Sequence, residues 1–230
     1  MLTFEDMRYT QGAFSLHADF TVRNGEMLAV IGPSGGGKST LLNVVAGFLE
    51  PTSGRVLWDG QDLAGTMPGK RPVSILFQDN NLFPHMTVTQ NVGLGLRPDL
   101  RLSVQQKTQV EAALARVGLD GYGARKPAAL SGGQASRVAL ARMLLRGNPL
   151  VLLDEPFAAL GPALKVEMLD LVRELMGETG ATLMMVSHDP GDAKRIAQRT
   201  VLVAGGEARA PVETGLLFSD PPEALQRYLG

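Results

Sequence analysis

The sequence has no cysteine among its 230 residues, which excludes disulfides, thiolate metal sites and cysteine nucleophiles, and fits a reducing compartment. It has no excess of charge. Its 22 Lys and Arg face 23 Asp and Glu, for a net charge of −1, so no basic footprint marks it for general nucleic-acid binding. No apolar run approaches the roughly 20 residues that span a bilayer, and the opening MLTFEDMRYT lacks the apolar centre of a signal peptide. Internal repeats, long heptad runs and low-complexity tails are missing as well. The expectation is a soluble chain whose membrane role, if it has one, comes through a partner. Its 44% hydrophobic and 20% charged residues are an ordinary globular balance, enough for one large domain or a core carrying a subdomain.

What is present alternates short β-rich runs with helical stretches. Leu2–Met7 and Phe14–Val22 read as strands, the second alternating apolar and polar residues as an antiparallel strand with one wet face does. Met27–Ile31 is continuously apolar, as expected of a strand buried on both faces. It leads into a glycine-rich turn and a helix from Lys38 to about Ala46, which Gly47 can end. Val73–Phe77, Leu150–Leu153, Leu183–Val186 and Val201–Ala204 are further buried-strand candidates. With helical patterns between them, they predict an α/β core with a largely parallel sheet. Between Phe77 and Leu150 only helical patterns occur, near Val88–Leu94, Val104–Val117 and Gln134–Leu145. A helical insert within the α/β core is the simplest reading.

Three motifs carry chemistry. Gly32, Pro33, Ser34, Gly35, Gly36, Gly37, Lys38, Ser39 and Thr40 satisfy G-x-x-x-x-G-K-[ST] between a predicted buried strand and a predicted helix. In that setting backbone N–H groups can curl around a phosphate, Lys38 supplies a point charge to it, and Ser39 offers a hydroxyl to Mg²⁺. Leu150–Leu153 ends in Asp154 and Glu155. An Asp-Glu pair after a strand is most often a solvated turn. Beside a phosphate loop, Asp154 is suited to hold Mg²⁺ through water, and Glu155 to orient or deprotonate an attacking water. Leu130-Ser131-Gly132-Gly133-Gln134 precedes a helix. Ser131 and Gln134 have the spacing of a capping box, while a serine and two glycines at a helix start also suit an anion.

LSGGQ placed between such a phosphate loop (Walker A) and such an acidic strand end (Walker B) resembles the signature of ABC transporter ATPases, and the resemblance covers nearly the whole chain. It implies a P-loop NTPase (RecA-like) α/β core with an antiparallel β subdomain and an inserted α-helical signature subdomain. Residues 1–78 and 148–230 would form the core and 79–147 the insert, within one domain spanning 1–230. It implies ATP as ligand with Mg²⁺ held by Ser39, Gln78 and Asp154. Gln78 matches the glutamine that reaches Mg²⁺ and the attacking water, and His188, in Val186-Ser187-His188-Asp189, matches the histidine that contacts the γ-phosphate. Glu155, His188 and Gln78 would be the catalytic set. Tyr9 is placed like the aromatic that stacks on adenine, although an early-strand tyrosine is also ordinary core packing. The family further implies a head-to-tail homodimer, with ATP between Walker A of one copy and Ser131, Gly132, Gly133 and Gln134 of the other. Membrane permease subunits, a periplasmic substrate-binding protein met indirectly, and a place on the cytoplasmic face of the inner membrane complete that implication.

Two positions depart from the family pattern. Ala158-Ala159-Leu160-Gly161 stands where Ser-Ala-Leu-Asp is usual, and Ala135-Ser136-Arg137 where Arg-Gln-Arg or Gln-Gln-Arg is common. The first is expected to weaken coupling between two ATP sites without abolishing activity. With about 25 residues after the last core strand, no C-terminal regulatory domain like that of some importer ATPases is expected. Asn80-Asn81, the run Asn91-Val92-Gly93-Leu94-Gly95-Leu96, Ala46–Leu49 and Arg71–Ser74 are most similar to ATP-binding subunits of bacterial thiamine importers. Leu82, Phe83, Pro84 and Met86 would either dock a permease helix or pack the insert. Importers of other small solutes remain an alternative. Soluble ABC ATPases of repair or translation usually carry two cassettes or long basic insertions. A P-loop kinase would leave LSGGQ, Gln78 and His188 without a use.

Overall fold

The computed structural model describes residues 1–229. The chain opens with β1 (Leu2–Gln11), β2 (Phe14–Val22), β3 (Met27–Ile31) and helix α1 (Lys38–Ala46). Strands β4 (Ser53–Trp58), β5 (Gln61–Asp62) and β6 (Val73–Leu76) follow, then helices α2 (Val88–Gly93), α3 (Val104–Arg116) and α4 (Gly132–Arg146). Next come β7 (Leu150–Asp154), α5 (Pro162–Thr179), β8 (Thr182–Val186), α6 (Pro190–Ile196) and β9 (Arg199–Ala204). Two-residue strands β10 (Glu207–Ala208) and β11 (Val212–Glu213) precede α7 (Thr214–Ser219) and α8 (Glu223–Leu229). Two compact units result. The first comprises Met1–Val73, Pro149–Asp154 and the chain from Met176 onward; the second comprises Ser74–Asn148 and Glu155–Leu175.

The first unit is built on a sheet with two characters. β5, β4, β1 and β2 pair antiparallel, whereas β9, β3, β8 and β7 pair parallel, and β10 joins the halves by pairing with both β2 and β9. Sequence pattern explains the division. β2 alternates, burying Leu16, Ala18, Phe20 and Val22, while β3 is apolar throughout and Leu28–Ile31 are all fully buried. Helix α1 packs on β7 and β8, and α6 on β3. Ala29, Ile31, Ala193, Leu202, Leu217 and Leu225 form one apolar cluster with α7 and α8. β1 runs past the expected Met7 because a bulge lies between Phe4 and Met7. Its buried residues are Leu2 and Phe4, then Met7 and Tyr9, so the alternation changes phase midway. Asp6 takes a positive φ of 42° in the bulge. Opposite it, a Cβ on Gly54 would lie 2.1 Å from Asp6 O, so only glycine fits.

One ion pair fastens β9 to the turn before β3. Both nitrogens of the Arg199 fork, Nε and NH2, donate to the carboxylate of Glu26, which also accepts from Arg23 N at 2.8 Å. Burial opposes ionisation of Glu26, but the Arg199 guanidinium and the Arg23 amide overcome it and hold the carboxyl below its usual range. A carboxyl depressed in the folded state contributes stability above its unfolded pKa and loses that contribution as pH falls through its folded value. Glu26→Gln is therefore expected to cost about 1.5–3 kcal/mol at pH 7. The gap from the parent should close as the pH is lowered below about 4. Urea unfolding at several pH values checks this, and a pH-independent difference would refute it.

In the second unit α2, α3 and α4 pack on one another. Each starts with a complete capping box, Thr87 with Gln90, Ser103 with Gln106 and Ser131 with Gln134. Arg137 ties α4 to the end of α3 by donating to Val117 O at 2.6 Å, and its other arm reaches Glu167 Oε1 at 2.5 Å. The expected insert, 79–147, lies wholly within this unit, which also takes in 155–175. Among the described residues no helix is long and apolar enough to cross a membrane.

Candidate nucleotide site

Strand register decides which loops share an edge of the first unit's sheet. Val30 lies beside Val186, and Val186 beside Asp154. The chain segments that follow β3, β7 and β8 therefore leave from the same end, where ligands sit in open α/β sheets. From β3 comes the glycine loop. Gly32 has φ 145°, and a Cβ there would lie 2.0 Å from Val203 O of β9, so the loop starts in direct backbone contact with the sheet. Helix α1 begins at Gly37 with no side-chain cap and no acidic residue in its first turn. Its opening N–H groups and positive dipole end are thus left to an anion. Lys38 is 6% exposed, and its Nζ donates to Gly32 O at 2.8 Å and Pro33 O at 3.0 Å. A cation held by the loop's own carbonyls stands where a phosphate would meet it. Ser39 Oγ donates to Asp154 Oδ1 at 3.0 Å across 115 positions of sequence, joining the phosphate loop to the acidic strand end.

His188 follows β8 with its imidazole exposed while its backbone is fixed. Ser187 Oγ donates to Asp192 Oδ2 at 2.5 Å and accepts from Asp189 N at 3.0 Å. Asp189 caps α6 through Gly191 N at 2.8 Å, and Tyr228 donates its hydroxyl to His188 O. Tyr9 is 8% exposed, and its hydroxyl donates to Gln11 Oε1 at 3.1 Å. It lies opposite Leu16 in the β1–β2 pairing. Leu16 and Phe14, which no motif marks, both approach the loop: Leu16 Cδ1 and Phe14 Cζ each lie 3.1 Å from where a Cβ on Gly37 would stand.

The second unit holds the remaining candidates. Ser131 Oγ accepts from Gln134 N at 3.3 Å, and Gln134 Oε1 accepts from Ser131 N at 3.0 Å. The reciprocal pair fixes the signature turn, and both Ser131 and Gly132 stay exposed. Gln134 Nε2 donates onward to Tyr122 Oη at 3.3 Å. Ser136, at one of the unusual positions, is buried and bonds back to Gly132 O at 3.1 Å. The side chain there thus serves the signature turn from inside. Glu155 has φ 48°, a left-handed conformation that costs a non-glycine residue about 1 kcal/mol and is commonest at functional turns. Gly161 has open space where a side chain would be. Gln78 is exposed in the loop after β6.

Residues 16–158 match the family model described as ABC transporter. Over its whole length the chain is 60% identical to the thiamine import ATP-binding protein ThiQ of Cereibacter sphaeroides, covering all of that protein. It is 50% identical to the ThiQ of Shigella flexneri, covering 97% of each chain. Among solved structures, cbiO1 of Clostridium perfringens, part of the ABC transporter complex cbiONQ, superposes with a TM-score of 0.84 at 28% identity, covering 99% of this chain and 93% of that one. The ATP-binding cassette MJ0796, a post-hydrolysis dimer bound to ADP and Pi, superposes with a TM-score of 0.78 at 29% identity, covering 93% of this chain and 99% of that one. An uncapped phosphate helix tied to an acidic strand end, together with full-length identity of this order, leads to one conclusion: the chain belongs to the ABC transporter family, as one of its ATP-binding, ATP-hydrolysing subunits.

Proposed function

We propose that this chain is the motor of a thiamine importer, and that two copies close head to tail on ATP beneath membrane permease subunits. The 3.0 Å bond between Ser39 and Asp154 is the observation that carries the hydrolytic reading. It sets a hydroxyl and a carboxylate, both hard oxygen donors, beside a phosphate loop. Among the described residues no cluster of three acidic or histidine side chains could cage a metal alone. That donor set fits Mg²⁺, which keeps waters and binds through one or two protein oxygens plus nucleotide phosphates. Ser39, Asp154 and Gln78 would hold the ion, which when bound neutralises charge on the β- and γ-phosphates. Glu155 takes the proton of the attacking water, Gln78 orients that water, and His188 contacts the γ-phosphate. The loop Gly32–Thr40 cradles the phosphates of one copy's ATP. Ser131, Gly132, Gly133 and Gln134 of the other copy cover them.

In this reading residues 79–147 act as the signature-bearing subdomain, and 1–78 with 148–230 as the nucleotide core. ATP makes contacts to both copies only when the dimer is closed, so it shifts the population toward closure, and hydrolysis reverses the bias. The permease holds the subunit at the cytoplasmic face of the inner membrane, and a periplasmic binding protein delivers the solute. Thiamine as cargo rests on the likeness to ThiQ proteins. The test is ATPase activity of the subunit assembled with its permease in liposomes. Stimulation by thiamine-loaded binding protein is expected. Hydrolysis indifferent to thiamine would keep the motor and remove the cargo.

A further inference from the structure

The loop after β6 contains two successive non-glycine residues in the left-handed region, Asn80 at φ 57° and Asn81 at φ 47°. Asparagine tolerates that conformation better than most residues, yet two in a row still need outside support. Asn80 Oδ1 is buried without a hydrogen-bond partner, so a bond to that oxygen is not what holds the turn. The support reaches the backbone. Arg142 of α4 donates from NH1 to Asn81 O and from NH2 to Asn80 O, both at 2.8 Å. Neither bond goes to a carboxylate, and burial alone lowers the pKa of Arg142 from the ordinary arginine value. A half-buried cation without a counter-ion is a costly element. Here a planar fork serves two successive carbonyls at once, which a single ammonium point charge does less well.

The loop's far side is fastened separately. Asn91 of α2 is 0% exposed. It accepts from Phe83 N at 2.8 Å and donates to Phe83 O at 3.1 Å and Thr87 O at 3.0 Å. The loop is thereby tied to α2 on one side and to α4 on the other. We propose that Arg142 is a positioning residue for Gln78, fixing the turn on which Gln78 stands and tying it to the helix that Ser131 caps. This rests on the reading of Gln78 as the residue that orients the attacking water. Without the fork, the paired left-handed residues relax and Gln78 loses its register with the water. A displacement of about 1 Å at a reacting centre can cost 10²-fold.

A double-mutant cycle tests it, with kcat, ATP affinity and melting temperature measured for Gln78→Ala, Arg142→Met, the double variant and Arg142→Lys. Arg142→Met is expected to lower kcat by roughly 10–10²-fold with ATP affinity held within about twofold. The double variant should be no slower than Gln78→Ala alone. Arg142→Lys should recover part of the rate, since an ammonium serves one carbonyl but not both. Losses that multiply, a parental rate in Arg142→Met, or a fall in ATP affinity equal to the fall in kcat would each overturn the assignment. Should Arg142→Met fail to fold, the same cycle with Arg142→Lys decides by the same criterion. If Gln78→Ala alone turns over at the parental rate, the role of Gln78 falls first, and no Arg142 variant is needed to see it.

Discussion

Glu155→Gln is expected to slow ATP turnover by roughly 10²–10⁴-fold, the scale of a lost general base, while ATP binding survives. The substitution keeps the size of the side chain and removes its basicity. Glutamine meets the same left-handed backbone penalty as glutamate at φ 48°, so the backbone cost of the turn is unchanged. Phe157, 2% exposed, anchors the chain just beyond it. The Ser39–Asp154 bond and the Lys38 bonds to Gly32 O and Pro33 O do not involve the altered group. Single-turnover hydrolysis and nucleotide titration on the same preparation separate the two effects. A variant hydrolysing at the parental rate would remove Glu155 as the base.

Lys38→Ala acts on the other term. ATP affinity should fall by roughly 10–10²-fold, the value of a charge-assisted hydrogen bond of about 1.5–3 kcal/mol. The ammonium is already fixed on Gly32 O and Pro33 O, so no side-chain entropy is spent in presenting it to a phosphate. Alanine leaves those two carbonyls facing a triphosphate with nothing between them, and backbone dipoles alone must hold the charge. Calorimetric titration with ATP measures the loss directly. Unchanged affinity would mean that the helix start and the loop N–H groups suffice.

The parts of the fold that could be read from sequence are those where one local rule acts alone. β2, β3 and α1 have the boundaries expected of alternation, continuous apolarity and a terminal glycine, with Gly47 at φ 85° closing α1. β4 was not legible because Ser53, Gly54 and Arg55 are exposed and only Val56–Trp58 are buried. β10 and β11, two residues each, are made by their neighbours and carry no pattern of their own. The second half of β1 was hidden by its bulge. Strand pairing, which leaves no mark in local spacing, puts Tyr9 opposite Leu16 and brings Leu16 and Phe14 up to Gly37. Walker A, Asp154 and the signature were legible because their chemistry is carried by consecutive residues. The ties among the loops, from Tyr228 to His188 and from Arg142 to Asn80 and Asn81, join residues far apart and leave no mark in local spacing.

The contact between Gly32 and Val203 O bears on the order in which this protein can become competent. The loop's resting place is a carbonyl of β9, a strand that follows the motif far along the chain, so the motif emerges from the ribosome before the surface it lies on exists. Its nucleotide affinity is thus a property of the finished sheet, and a nascent chain halted before β9 would carry the whole motif without a seat for it. Transplanting those nine residues with β3 and α1 into another scaffold would meet the same obstacle unless a strand backbone were supplied at that distance.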